Sequence, residues 1–180
     1  MIKDVVIKIP LVSQHQDVKD KKWKKYSCAV CSIKMMMAFG NKRHVDIDIG
    51  KLIEEARKMG GYLDGIGWRH KTITDLAKKY GHKLSFIKKF PKASLEKSKW
   101  LKKLEKNIVK GKPVMASVYY KMNKKNGGHV VVVNGVRKNG KIVIGYHIQD
   151  PDHHFRGNNY YISKDKFLLG WRGGMIYFKK

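Results

Sequence analysis

One stretch of the sequence, residues 28–39, constrains the fold more than any other. It reads Cys-Ala-Val-Cys-Ser-Ile-Lys-Met-Met-Met-Ala-Phe, and only Ser32 and Lys34 are clearly polar. A helix that is apolar on nearly all sides belongs inside a protein. Ser27 is a suitable N-cap and Gly40 a suitable C-terminal stop. The pattern therefore predicts a buried helix with Cys28 in its first turn.

The composition is consistent with a single folded domain over residues 1–180. Hydrophobic residues make up 42% of the chain, which is enough to bury a core. No apolar run approaches the roughly 18–20 residues of a membrane span. Charges interrupt Met1–Lys8, where a signal peptide needs an apolar stretch. Two cysteines three residues apart form no disulfide framework, so we expect a cytoplasmic protein.

The net charge is strongly positive, with 40 Lys and Arg against 14 Asp and Glu, a formal charge of +26. Only six of the basic residues are Arg, so base readout by arginine is not favoured. The lysines are spread along the whole chain. Two interpretations stay open: a compositional bias that aids solubility, and attraction to nucleic acid, an anionic membrane surface or another polyanion.

The periodicity predicts an α+β fold, because helical spacing gives way to β spacing after residue 110. Residues 13–27 are polar and lysine-rich, which indicates a surface loop, and a Gly-rich loop is expected through Trp68. Asn139-Gly140 predicts a hairpin turn. Further helices are predicted at about 49–59, 71–80 and 94–110, and strands at 2–10, 83–88, 113–120, 129–136, 142–149 and 175–178.

Cys28 is the first residue with an expected chemical role. A thiol at a helix N-terminus feels the positive end of the helix dipole, which favours the thiolate. Cys31 lies one turn deeper, beside Met35 and Ala38, and is expected to pack in the core. A buried structural cysteine is the competing interpretation of Cys28.

The Cys28–Cys31 spacing also matches redox and zinc motifs. A thioredoxin-type motif should follow a buried strand directly, and here it follows a polar segment. A zinc site needs a second ligand pair at metal spacing. The residues available for such a pair form no recognised spacing: His147, Asp150, Asp152, His153 and His154.

His129 stands out among the eight histidines by its context. It follows Gly127-Gly128 and opens an apolar strand, so it can project from the sheet edge. The turn at Asn139-Gly140 lies about midway between His129 and Asp150, and a hairpin places its outer ends side by side. The two residues are therefore a candidate base and orienting carboxylate for Cys28. A core histidine and a plain turn at Asp150 are the competing interpretations.

An acyl transfer also needs a donor for its oxyanion. Gln14 and Gln16 both precede Cys28 in a segment that could fold back over the helix N-terminus. Exposed glutamines are common, so the residues alone choose neither.

Four segments follow one another along the chain: Ile9–Gln14, Cys28–Met35, Gly128–Gly135 and Asp150-Pro151. Together and in this order, they resemble the landmarks of the papain-like cysteine peptidases related to bacteriocin processing. That family includes the double-glycine leader peptidase domains of exporters and stand-alone relatives, and the likeness spans nearly the whole chain. Lys110–Val114 resembles the helix-to-strand entry of that family, and Asp165-Lys166-Phe167 with Trp171 resembles its closing segment.

The resemblance implies a papain-like fold and a thiol hydrolase that cleaves peptide bonds without a metal or cofactor. Cys28 would be the nucleophile, His129 the general base and acid, Asp150 the orienting carboxylate and Gln14 the oxyanion donor. Ala29-Val30 replaces the residues usual after the cysteine, and Gln14 lies farther from it than in the exporter domains. Because of this longer interval, Gln16 remains an alternative oxyanion donor.

The expected partner is a peptide or protein substrate, which the lysines could recruit if it is acidic. Two alternatives remain: a transferase or deamidase on the same scaffold, and a catalytically inactive basic module that binds nucleic acid or another polyanion. Trp68 and Trp171 could line a cleft, although core packing is the more common role of tryptophan.

Overall fold

The computed structural model describes residues 1–88, 94–152 and 159–179, and it confirms the predicted α+β class. No helix in these ranges combines the length and apolar composition that crossing a membrane requires. The α-helices are α1 (Lys21–Lys24), α2 (Cys28–Gly40), α3 (Ile49–Lys58), α4 (His70–Lys79), α5 (Ser94–Val109) and α6 (Lys164–Gly170), and 3-10 helices span Lys42–Asp46 and Tyr120–Met122. The strands are β1 (Ile2–Val6), β2 (Tyr62–Leu63), β3 (Gly67–Trp68), β4 (Leu84–Ile87), β5 (Val114–Tyr119), β6 (Gly128–Asn139), β7 (Ile142–Gln149), β8 (Tyr160–Ser163) and β9 (Trp171–Phe178).

Within the described residues, seven strands form one antiparallel sheet in the order β4-β9-β5-β6-β7-β8, with β1 paired to β6. The predicted hairpin is formed by β6 and β7. Asn139 pairs with Ile142, so the loop residues are Gly140 and Lys141, one position later than predicted. Gly140 has a φ of 59°, which glycine adopts without steric cost.

Helices cover both faces of this sheet. Neighbouring residues of a strand point to opposite sides, and here both sides carry apolar residues that need to be covered. On one face, α2, α3 and α4 pack with Met115 and Val132. On the other face, α5 and α6 pack with Val114, Val131 and Val133. The sheet is therefore a shared middle layer between two apolar cores.

Helix α2 is buried as predicted, since every residue from Ala29 to Ala38 is buried. Ser27 stands at the N-cap, but its side chain makes no capping hydrogen bond. Its hydroxyl accepts instead from Cys31 Sγ at 3.7 Å. Ser32 Oγ donates to Val130 O at 3.2 Å, which ties the first turns of α2 to β6.

The prediction of a surface loop over residues 13–27 is wrong. Helix α1 lies in this segment, and Val18 and Trp23 are buried. The Trp23 ring packs on those of Tyr62 and Trp68, with ring centroids 5.0 and 5.7 Å away. The segment is polar on average, but these two apolar side chains are enough to anchor it to the core.

Several short elements were not predicted from the periodicity. The expected Gly-rich loop contains the β2–β3 hairpin, and β8 and α6 precede the last strand. Strand β9 begins at Trp171 rather than at residue 175. Glycines 173 and 174 interrupt its β pattern, and pairing with β5 through a bulge keeps the strand extended.

We expect Leu104→Ala to lower the free energy of unfolding by about 2–5 kcal/mol, because it leaves a cavity where a fully buried leucine packed. The matched variant Leu169→Ala truncates a leucine on α6 that is 62% exposed, so its effect should stay within about 0.5 kcal/mol. Urea denaturation followed by circular dichroism measures both. Equal losses would contradict the placement of α5 against the sheet.

Candidate active site

Cys28 is the first residue of α2, and its side chain is half-buried. The helical hydrogen bonds begin with the N–H of Cys31, which donates to Ser27 O at 2.9 Å. The earlier N–H groups therefore have no carbonyl partner within the helix. They give this end of α2 a partial positive charge, which stabilises negative charge on or next to the sulfur.

His129 and Asp150 lie together beside this helix terminus. His129 Nε2 is 2.6 Å from Asp150 Oδ1, and the two side chains are only 6% and 13% exposed. The Cys28 side chain lies close enough to the His129 ring to help raise the pKa of this histidine. Because Nε2 faces the carboxylate, Nδ1 is the ring nitrogen left for the sulfur. The structure thus places the imidazole between thiol and carboxylate.

The surroundings of His129 favour its protonated form. Burial by itself would lower the pKa of His129, since it penalises the charged imidazolium. The charge and hydrogen bond of Asp150, together with the Cys28 side chain, outweigh burial and raise the pKa of His129 well above its usual value. The imidazole can therefore hold a proton at neutral pH while it faces the sulfur.

A second carboxylate, that of Asp152, supports this pair. Its backbone N–H donates to Asp150 Oδ1 at 2.9 Å. Its side chain accepts from the Tyr120 hydroxyl at 2.7 Å and contacts His15 Nε2 at 2.6 Å. Burial would raise the pKa of Asp152, but these two hydrogen bonds outweigh it and lower that pKa. The Tyr120 ring also packs edge-on against His129, with ring centroids 5.5 Å apart.

Sequence reasoning missed this supporting layer. Asp152 was considered only as a zinc ligand, although the Asp-Pro-Asp spacing could have marked it as a partner of Asp150. Nothing in the sequence marks Tyr120 or His15, because both reach the site only through the folding of distant segments.

Gln14 lies close to the Asp150 segment. Its backbone N–H donates to Pro151 O at 3.0 Å, and its side chain is buried at 5% exposure, whereas Gln16 is exposed. Gln14 Oε1 is buried without a hydrogen-bond partner in the described part of the chain. An unpaired buried amide costs about 1–3 kcal/mol, so such groups are often functional. The structure favours Gln14 over Gln16 as the glutamine held beside the site.

The two cysteines have different environments, although both are free thiols. Cys31 is fully buried, as predicted, and burial raises the pKa of its thiol to about 12. Such a thiol carries almost no thiolate at neutral pH.

Of the histidines considered for zinc, the structure describes His147, which contacts an aspartate. His147 Nε2 lies 3.3 Å from Asp4 Oδ1, near β1. His153 and His154 lie outside the described residues. Among the residues that are described, no three metal-binding side chains are grouped to hold an ion.

A cleft of about 790 Å³ opens in front of Cys28 and His129. Tyr26, Tyr62 and Trp68 line part of its wall. The rings of Tyr62 and Trp68 lie 5.3 Å apart between centroids, and the Trp68 indole N–H donates to the Tyr26 carbonyl. The cleft is therefore large enough for several residues of a peptide, with an aromatic side next to the thiol.

The two tryptophans considered for a cleft differ in role. Trp68 is half-buried and lines the cleft while it also packs on the core. Trp171 is only 3% exposed and stacks on Phe167, with centroids 6.0 Å apart, so it is a core residue.

A family model, described as the Peptidase C39-like family, matches residues 6–173. The chain belongs to the Peptidase C39-like family. The match spans most of the chain, so the predicted family is confirmed. No curated protein matches the chain.

Solved structures show that this C39-like family member has the fold of its family. A protein from Bacillus anthracis classed as a C39-like peptidase superposes with a TM-score of 0.67 at 18% identity, covering 99% of this chain and 98% of that one. A double glycine motif protease from an AMS/PCAT transporter, solved with its leader peptide, gives 0.58 at 16% identity, covering 97% and 94%. The peptidase domain of Streptococcus ComA, a bifunctional ABC transporter of a quorum-sensing pathway, gives 0.57 at 21% identity, covering 87% and 93%. These likenesses confirm the papain-like fold.

We expect Asp150→Asn to lower the pKa of His129 in this C39-like protein, because burial then acts without the opposing carboxylate. The imidazole should lose its proton at a lower pH than in the unmodified protein, which an NMR titration of the ring signals detects. Asp165→Asn, a matched change at an exposed carboxylate of α6, should leave the titration unchanged. An unaltered His129 midpoint in Asp150→Asn would contradict the ion pair.

Proposed function

We propose that the protein is a cysteine peptidase in which Cys28 is the nucleophile, His129 the general base and acid, and Asp150 the orienting carboxylate. The observation that supports this proposal is the His129 imidazole, which contacts the Asp150 carboxylate and shares one cleft with the Cys28 thiol, whose side chain helps raise the pKa of the imidazole. Membership of a peptidase family supports the reaction class. The neighbour solved with a leader peptide supports a peptide as the substrate.

The first half of the proposed reaction forms a thioester. His129 takes the proton of Cys28, and the sulfur attacks the carbonyl carbon of the scissile amide. The carbonyl electron pair moves to oxygen, where the Cys28 N–H and the Gln14 amide donate to the oxyanion. The C–N bond then breaks, and the departing amine takes the proton from His129.

The second half releases the acid. Water gives a proton to His129 and attacks the thioester carbon, and the C–S bond breaks as the tetrahedral intermediate collapses. The sulfur regains the proton from His129, so the enzyme returns to its starting state. Asp150 keeps the ring oriented and stabilises the imidazolium in both halves.

The same thioester could pass its acyl group to an amine, or form from a side-chain amide, which would make the protein a transferase or a deamidase. The products separate these reactions by mass. Hydrolysis of a peptide bond gives two fragments whose masses sum to that of the peptide plus one water. Deamidation leaves one chain about 1 Da heavier.

We expect Cys28 to be the thiol that reacts in the native protein, and Cys28→Ala to abolish peptide cleavage. Iodoacetamide labelling followed by peptide mapping should modify Cys28 faster than free cysteine near neutral pH. Cys31 serves as the internal control, because its buried thiol should react only after unfolding. If Cys28 reacts no faster than free cysteine and Cys28→Ala retains activity, the mechanism is wrong.

We expect Gln14→Ala to lower kcat by about 10²–10³-fold, the usual loss for one oxyanion donor. The matched variant Gln16→Ala removes an exposed amide and should leave kcat unchanged. Steady-state kinetics on a cleaved peptide measures both variants, and circular dichroism checks their folding. A loss in Gln16→Ala alone would reverse the assignment.

A further inference from the structure

The cleft also holds polar groups that the proposed mechanism does not use. Among the described residues that line the cleft, the charged side chains are Lys25, Arg69, Lys71, Lys88 and Arg172, and none is acidic. Because basic residues outnumber acidic ones 40 to 14 in the chain, this absence decides little by itself.

A hydrogen-bonded pair, His70 and Ser117, lines this cleft. His70 Nε2 lies 2.9 Å from Ser117 Oγ, and Ser117 is only 9% exposed. The backbone of β9 approaches the pair closely, since a Cβ on Gly174 would lie 2.9 Å from Ser117 Oγ. The His70 ring also stacks on Phe86, with ring centroids 6.2 Å apart. Two polar groups are thus held in place in the cleft wall.

Two cations stand next to this pair. Burial lowers the pKa of His70, and the charges of Lys88 and Arg172 lower it further. The imidazole therefore stays neutral and supplies no charge of its own at neutral pH. Neither cation forms an ion pair with a described residue, and Lys88 is exposed to solvent.

The Arg172 side chain is fixed in place. Its guanidinium lies against Gly128, where a Cβ would overlap it, and above the Tyr119 ring at 5.3 Å from the centroid. Its Nε is buried without a hydrogen-bond partner in the described part of the chain. Because Arg172 lines the cleft and its guanidinium is already ordered, it can bind a carboxylate with little loss of conformational entropy.

We propose that His70, Lys88, Ser117 and Arg172 form a subsite that binds an acidic side chain of the peptide substrate. A carboxylate bound here forms ion pairs with the Arg172 guanidinium and the Lys88 ammonium. It also accepts a hydrogen bond from the His70–Ser117 pair. This assignment rests on the proposed function, because it requires a peptide in the cleft.

The subsite lies close to the scissile bond. Ser117 pairs with Val130, the residue after His129. Neighbouring strands lie about 4.8 Å apart, and an extended peptide advances about 3.3 Å per residue. The acidic residue therefore stands within about three residues of the bond that is cut.

The test uses a cleaved peptide, acetylated at its N-terminus and amidated at its C-terminus, so that only side chains carry carboxylates. Glu and Gln are compared at each of three positions on either side of the cleavage site. At one position, Glu should raise kcat/KM over Gln on the order of 10-fold to 100-fold, the range of a charge-assisted contact. Equal rates for Glu and Gln at every position overturn the proposal.

Variants separate the subsite from the general positive charge. Arg172→Gln should bring the Glu/Gln ratio towards one. Lys88→Gln should lower it as well, and this exposed lysine can be changed even if Arg172→Gln does not fold. Arg43→Gln removes the same charge from the exposed 3-10 helix outside the cleft, and the ratio should stay unchanged. An equal drop in Arg43→Gln overturns the subsite.

A binding measurement separates failure of the subsite from failure of the proposed function. Fluorescently labelled Glu and Gln peptides are titrated with Cys28→Ala protein, and anisotropy gives the two affinities. Preference for Glu, with no hydrolysis by the unmodified protein, supports the subsite and overturns the peptidase. Hydrolysis of both peptides at equal rates supports the peptidase and overturns the subsite. If no peptide binds or is cleaved, both proposals are wrong.

Discussion

The packing of α2 against β6 is the constraint on which the site depends. Ten consecutive buried residues hold this helix between the sheet and its neighbouring helices. The hydrogen bond from Ser32 Oγ to Val130 O joins the two elements at 3.2 Å. Ser32 lies one turn after Cys28, and Val130 directly follows His129. The contact that anchors the helix therefore also sets the thiol beside the imidazole, two groups about 100 residues apart in the chain.

The opposite side of the imidazole is held by a loop rather than by the core. The segment before α1 and the segment after β7 exchange backbone and side-chain hydrogen bonds, from Gln14 N to Pro151 O and from His15 to Asp152. These bonds bring the oxyanion candidate to the same loop as Asp150. A rigid helix thus presents the sulfur, while a polar network orients the His129 imidazole. Active sites commonly combine a rigid element, which fixes the geometry, with hydrogen-bonding groups, which orient side chains and stabilise charge.

The sequence predicts those parts of the fold that depend on local pattern. Helix α2 was predictable because its apolar residues occupy every face, and the nearness of His129 and Asp150 followed from one hairpin turn. Residue pattern alone did not separate Gln14 from Gln16, and only the resemblance favoured Gln14, because a tertiary hydrogen bond from Gln14 N to Pro151 O helps decide which glutamine is buried. The burial of Trp23, in the segment wrongly predicted to be a surface loop, was missed for a similar reason. It depends on contacts with Tyr62 and Trp68 of the β2–β3 hairpin. The contact of His70 with Ser117, between α4 and β5, leaves no trace in local periodicity.

The central claim is that the fold brings the Cys28 thiol and the His129 imidazole into one reactive pair. The rate of Cys28 alkylation at about pH 6, compared between the unmodified protein and His129→Ala, tests this claim most directly. His129 should take the proton of Cys28 as the sulfur attacks the reagent, so the variant should react at least about 10-fold more slowly, near the rate of an ordinary thiol. Equal alkylation rates, with both proteins folded, would show that the two side chains do not act together.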